Sequence, residues 1–173
     1  MLKARHIIGL PIICLQNGKR LGKVFDLLID QDWQLSGVIL SPKGWFSQCQ
    51  TISSNDFVAC GEDAITIENR SFIHKWNEDS TQTTLLEGQH KIKGLPIITV
   101  TGNQLGILED VYFSKQMGNK IKGFEISEGF ISDLTEGRKW LALPDSVTRG
   151  EEAIIVPARC EEEVTEFFVS KEE

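Results

Sequence analysis

The chain has 173 residues, of which 40% are hydrophobic, and its 18 Lys and Arg against 25 Asp and Glu give a net charge of -7. No apolar run approaches the roughly 20 residues that a membrane-spanning helix needs. A negative chain without a basic stripe repels phosphate backbones. We therefore expect no membrane segment and no direct contact with nucleic acid.

The first residues carry no export signal. Residues 1–8 hold only a short apolar stretch, and no small-residue cleavage site follows it. A secretory signal peptide requires both a longer apolar segment and such a site. The sequence therefore predicts a cytoplasmic protein.

The chain contains an internal repeat. Residues 9–13, Gly-Leu-Pro-Ile-Ile, recur letter for letter as residues 94–98. Small gaps fall only between the matched blocks, where loops tolerate them, and two copies are too few for a solenoid. We therefore predict two sister domains at 1–68 and 86–158, a linker at 69–85 and an acidic tail at 159–173. Further matched pairs are Gly22 with Gly106, Asp26 with Asp110, Gly37 with Gly123, and Gly61 with Gly150.

Each copy contains a series of short strand patterns. The turn signal Asn17-Gly18 separates the first two runs and favours a hairpin, because both residues can adopt positive φ. About five strands with tight turns in about 70 residues indicate a small closed or half-closed β-barrel. The predicted strands are 11–15, 21–30, 35–41, 49–53 and 64–67 in the first copy, and 96–100, 105–114, 121–127, 139–143 and 153–156 in the second.

Alternation along the third strand of each copy predicts which side chains enter the barrel. Val38 and Leu40 match Phe124 and Ile126, whereas the residue between them changes from isoleucine to glutamate. Since successive side chains in a strand point to opposite faces, these four should point inward.

The matched Asp26 and Asp110 lie in the preceding strand, where apolar residues occur on both faces. A bulge near Gly22 and Gly106 would explain why apolar residues occur on both faces of the strand. An aspartate beside a bend usually accepts hydrogen bonds from backbone amides, so we favour a structural role over the catalytic alternative.

No cysteine or histidine forms a recognisable site. Cys14, Cys49, Cys60 and Cys160 contain no C-x-x-C pair, and no nucleophile motif accompanies the histidines. We therefore expect no catalytic residue, no cofactor and no metal site, and predict that the protein is not an enzyme.

The chain resembles the PRC-barrel family in its bacterial tandem form, because several motifs occur in the same order in both copies. They are Ile-Gly-Leu-Pro-Ile at 8–12, Leu-Gly-x-x-x-Asp at 21–26 and 105–110, and Asp-x-Val-x-x-Gly-Glu-x-Ala-Ile at 56–65 and 145–154. The family includes the cytoplasmic part of the photosynthetic reaction-centre H subunit and the C-terminal part of a ribosome-maturation factor. The resemblance implies a binding or assembly module without catalytic residues.

The best candidate contact surface follows the third strand of each copy, at Trp45-Phe46 and Phe130-Ile131. These large apolar pairs either anchor a partner, as aromatic residues do in interface hot spots, or tuck over a barrel end or between the two copies. A protein-binding adaptor, open to homo-oligomerisation, is the first functional hypothesis. A regulator that responds to a small ligand or metal through Asp26, Asp30, Glu109 and Asp110 is the alternative.

The segments outside the copies are expected to be short helices or polar chain. Phe72, Ile73 and Trp76 predict a helical turn at the start of the linker, and a polar, flexible run follows at 77–84. After Pro157, Val164, Phe167 and Phe168 predict a short amphipathic helix.

Overall fold

The computed structural model describes residues 1–45, 47–77, 82–114 and 119–166, and these form two compact units. The first unit consists of the described residues of Leu2–Lys91 and of Ser114–Lys120. The second consists of Met1, Ile92–Phe113 and the described residues from Ile121 onward. The prediction of a mainly β chain with short helices is confirmed.

Short strands dominate the first unit. Two 3₁₀ turns, Ser54–Asp56 and Arg70–Phe72, interrupt them. The helix and strands are β1 (Leu2–Lys3), α1 (Ala4–Ile7), β2 (Pro11–Cys14), β3 (Arg20–Ile29), β4 (Leu35–Leu40), β5 (Gln50–Ser53), β6 (Phe57–Cys60), β7 (Ile65–Ile67), β8 (His74–Lys75) and β9 (Thr83–Thr84).

The strands of the first unit follow the order β6-β7-β2-β3-β4-β5-β8, and β9 is added to β3. All neighbours are antiparallel except β2 and β7, whose Ile12 lies opposite Ile65. The chain runs from β5 through the Ser54–Asp56 turn straight into β6, so it connects the first strand of this path with the second strand from its other end.

The second unit repeats this path as β14-β15-β10-β11-β12-β13-β16. Again one neighbouring pair, β10 and β15, is parallel. The elements are β10 (Pro96–Thr99), β11 (Gln104–Phe113), β12 (Ile121–Ser127), α2 (Phe130–Thr135), β13 (Lys139–Ala142), β14 (Thr148–Arg149), β15 (Ile154–Val156), α3 (Cys160–Glu163) and β16 (Thr165–Glu166).

The predicted inward-facing residues Val38, Leu40, Phe124 and Ile126 are all buried. However, the residues between them are buried as well, since Ile39 and Glu125 are each only 2% exposed. Alternation alone therefore does not tell the buried face from the exposed one here. The side chains on the outer face of each barrel are therefore buried here as well.

The bulge expected near Gly22 and Gly106 is present in both copies. The register between β3 and β4 shifts between Val24 and Asp26, and the register between β11 and β12 shifts between Leu108 and Asp110. Gly106 has φ 141, a conformation that favours glycine, whereas Gly22 lies outside that region. At the bulge, the side chains of the matched aspartates depart from the alternating in-and-out pattern of the strand.

Gly37 and Gly123 are glycines for a different reason. A Cβ atom on Gly37 would lie 2.6 Å from the carbonyl oxygen of Ile52, and one on Gly123 would lie 2.4 Å from the ring of Trp140. The third strand of each copy therefore runs too close to its neighbour for any side chain.

Several local expectations need correction. The chain turns back after Asn17, but only Gly18 takes positive φ, and the Asn17 side chain instead accepts a hydrogen bond from the Lys19 amide. The tail forms one helical turn, α3, and then the short strand β16, because β13 offers an edge for pairing. Phe167 and Phe168 lie outside the described residues, as do 78–81 of the polar run.

Candidate functional site

The short helix α2 exposes its apolar side chains. Phe130 is 79%, Ile131 77% and Leu134 71% exposed, and no residue of the helix is buried. Residues i, i+1 and i+4 lie on one side of a helix, so the three form one patch. We call Phe130, Ile131 and Leu134 the α2 patch.

The polar side of α2 is the one attached to the barrel. The Asp133 carboxylate accepts hydrogen bonds from the Ser127 hydroxyl at 2.7 Å and from the Glu128 amide at 3.3 Å, and it lies 3.5 Å from Nε of Arg138. A surface helix normally buries its apolar stripe and exposes its polar face. The orientation of α2 is the reverse.

Trp45 occupies the corresponding loop of the first unit and is fully exposed. The loop is a turn in which the Ser47 amide donates to the carbonyl of Gly44. Phe46 lies outside the described residues. The alternative in which these side chains tuck over a barrel end is therefore wrong for Trp45, Phe130 and Ile131, while their role as partner anchors stays a prediction.

Asp26 lies at the bulge of β3 with no exposed surface. Its carboxylate accepts hydrogen bonds from the amides of Leu27 at 2.7 Å, Leu86 at 3.0 Å and Glu87 at 2.9 Å. Burial raises the pKa of this carboxyl, and the backbone hydrogen bonds oppose that rise. The structural interpretation is supported, although most of the donors lie sixty residues away rather than nearby in sequence.

The other carboxylates of the regulatory hypothesis are also engaged by the protein itself. Asp110 accepts from the Val111 amide, and Asp30 accepts from the amides of Asp32 and Gln34. Glu109 pairs with Lys93 at 3.3 Å. The described residues contain no group of three or more potential metal ligands.

A buried ionic network occupies the outer face of the second barrel. The Glu125 carboxylate accepts from Arg138 at 2.6 Å and from the Tyr112 hydroxyl at 2.7 Å. A second guanidinium nitrogen of Arg138 lies 3.4 Å from Glu109, and the Tyr112 ring meets Trp140 edge to face. Burial lowers the pKa of Arg138, but the hydrogen bond with Glu125 and the charges of the surrounding carboxylates outweigh it and raise the pKa.

The first barrel carries an open cleft at the matching position. The cleft has a volume of about 200 Å³. Its floor is β3 and β4, and one wall is Trp76, whose amide donates to the carbonyl of Cys49. The other wall is the segment that Asp26 fastens through its amides. The lining residues are Phe25, Asp26, Ile39, Cys49, Trp76, Thr84, Glu87 and Gly88.

The chain matches the PRC-barrel domain family over residues 1–73 and again over 86–162. The matched segments cover most of the sequence, so the chain belongs to this family and is a tandem PRC-barrel protein. A comparison with curated proteins gives no match. Among the residues that the structure describes, no helix is long and apolar enough to cross a bilayer.

Sequence reasoning missed the cleft and the ionic network. The aligned substitutions were readable, because Phe25, Ile39 and Cys49 stand where the second copy has Glu109, Glu125 and Arg138. What could not be read was that these positions meet on one outer face. That arrangement depends on the strand register, which places Asp26 opposite Ile39 and Asp110 opposite Glu125.

Proposed function

We propose that this tandem PRC-barrel protein is a non-enzymatic adaptor that binds another protein through the α2 patch. The observation that carries the proposal is the reversed orientation of α2. Asp133 holds the polar side of the helix against the barrel, so the apolar side chains are presented to solvent. Such contiguous apolar exposure is characteristic of interaction sites.

The energetics favour an occupied patch. Burying one large apolar side chain contributes roughly 2 kcal/mol. The α2 patch offers three such side chains on a support that Asp133 already fixes, so little ordering cost is added on binding. Trp45 offers a further aromatic anchor of the kind that dominates hot spots.

The surroundings of the patch indicate the charge of the partner. Glu136 follows the helix, Glu128 precedes it and pairs with Lys139 at 2.6 Å, and the residues from 71 onward carry 18 acidic against 11 basic side chains. An apolar pocket rimmed by lysine or arginine would complement this surface. A second copy of the chain is the competing occupant, and a cytoplasmic location stays part of the proposal.

The test is capture from the native host under gentle cross-linking, followed by mass spectrometry. The variant Phe130→Ser/Ile131→Ser/Leu134→Ser should lose the enriched protein while its melting temperature stays nearly unchanged, because the three side chains are exposed. Val100→Ser is the matched control, since Val100 is 70% exposed in the same unit but lies outside the patch.

Two outcomes would contradict the proposal. If the triple variant captured its partner as well as the Val100→Ser control, the α2 patch would not be the binding surface. If only the chain itself were recovered, and size-exclusion chromatography showed a stable oligomer that the triple variant loses, the patch would serve self-assembly instead.

A further inference from the structure

The outer cleft of the first barrel has an unusual lining. The lining includes two aromatic residues, Phe25 and Trp76, and two acidic residues, Asp26 and Glu87. Among the residues that the structure describes, no lysine, arginine or histidine lines the cleft. No salt bridge links Glu87 to a cation within the described parts of the chain. Aromatic faces and carboxylates are the two kinds of group that attract organic cations.

The second barrel shows what fills the same position when the chain supplies its own cation. Arg138 stands where the first copy has Cys49, and its guanidinium lies between Glu125 and Glu109. Those two glutamates stand where the first copy has Ile39 and Phe25. The first barrel thus lacks the arginine, and an open cleft remains at that place.

The first barrel also differs in where its negative charge lies. Glu87 follows β9 on the wall that faces Trp76 across the cleft, and Asp26 lies below it with its oxygens fixed by the amides of Leu86 and Glu87. A cation entering the cleft would meet Glu87 and the two aromatic residues, while Asp26, which has no exposed surface, lies beneath them. Attraction between opposite charges strengthens in such partly desolvated surroundings.

We propose that this cleft binds the guanidinium or ammonium group of an organic cation. The cation is either an arginine or lysine side chain of a protein partner or a free small molecule with the same head group. The first of these two sources rests on the proposed adaptor function. The volume of about 200 Å³ leaves room for a guanidinium with part of its alkyl chain.

The experiment compares two blocked tripeptides, Ala-Arg-Ala and Ala-citrulline-Ala, by calorimetry and by the NMR signal of the Trp76 indole. Citrulline keeps the shape of arginine but lacks its charge. We expect the arginine peptide to bind at least tenfold more tightly. Glu87→Gln and Trp76→Leu should each weaken its binding at least tenfold, whereas Glu151→Gln, an exposed carboxylate outside the cleft, should change nothing.

Equal binding of the two peptides, or no binding of the arginine peptide at millimolar concentration, would overturn the proposal. Butylguanidinium distinguishes the sources. Binding as tight as that of the peptide supports a free small cation, and clearly weaker binding supports a polypeptide side chain. The triple variant of the α2 patch should bind the arginine peptide unchanged, so a failed adaptor proposal and a failed cation site give different results.

Discussion

The outer faces of the two barrels solve the same packing problem in different ways. In the second barrel, Glu125 is buried, pairs with the cation of Arg138 and accepts a hydrogen bond from the Tyr112 hydroxyl. In the first barrel, the residue at the position of Glu125 is Ile39, which is equally buried under a neighbouring segment of chain. The outer face of the second barrel is filled by its own charged side chains. The outer face of the first barrel has an apolar floor and is open at one side.

This difference shows that a duplicated fold can keep its backbone while its outer faces acquire different chemistry. The strand order and the bulge at the matched aspartates are the same in both units. The substitutions that separate the two faces lie on the outside of the sheet, where they leave the barrel interior undisturbed.

Replacing Arg138 by alanine should have the largest effect. It removes the cation that pairs with the buried Glu125 carboxylate, and breaking one side of a buried pair costs about 3 kcal/mol. Urea unfolding should show this loss. The triple variant Tyr112→Leu, Glu125→Ile and Arg138→Cys carries the residues of the first barrel at these positions and should recover most of the lost stability. If the triple variant were less stable than Arg138→Ala, the loss would not arise from the unpaired charge of Glu125.

Replacing Asp26 by alanine should cost about 2 kcal/mol, because the amides of Leu27, Leu86 and Glu87 lose their acceptor. Faster hydrogen exchange at the amides of Leu86 and Glu87 would show that the loss arises at this clamp. Unchanged exchange at both amides would show that the segment is held by other contacts.

The pH dependence of stability should change when Asp26 becomes asparagine. The folded pKa of this carboxyl lies above its usual 3.8, so the folded state holds the proton more strongly than the unfolded state. The carboxyl therefore adds stability below pH 3.8 and loses that contribution as the pH rises through the folded value. Urea unfolding between about pH 3 and 7 should show the wild-type advantage over Asp26→Asn falling as the pH rises; an advantage that grows would contradict this sign.

Installing arginine at Cys49 should have a smaller effect on stability, a gain of at most about 1 kcal/mol, because the pair it forms with Glu87 is partly exposed. The change gives the first barrel the cation that the second already has. It should abolish binding of the arginine peptide, as monitored by calorimetry. Binding equal to that of the wild type would show that the peptide does not use the cleft.

Replacing Trp45 by serine should have the smallest effect on stability, within about 0.5 kcal/mol, because the side chain makes no buried contact. Thermal unfolding measures this, and Trp33→Ser is the contrast, since Trp33 is 6% exposed. If Trp45 anchors a partner, capture from the host should fall while the melting temperature stays constant. A large fall in melting temperature would instead assign Trp45 to the core.

Much of the fold could be predicted because strands and turns leave local patterns. The strands over 35–41 and 121–127 and the bulge beside Asp26 were readable from periodicity and glycine placement. The strands β6 and β14 were missed, because β6 is largely exposed and β14 spans only two residues. Too little apolar alternation remains in such segments to mark them.

By itself, the sequence determined the repeat and the mainly β tandem barrels, because repeated motifs, apolar strand segments and turn residues are local patterns. Only the tertiary structure decided that α2 presents its apolar side outward and that Phe25, Ile39 and Cys49 meet Trp76 and Glu87 at one cleft. These contacts join residues up to about sixty positions apart, and they depend on strand register and on how Asp26 fastens a distant segment. No local pattern in the chain carries that information.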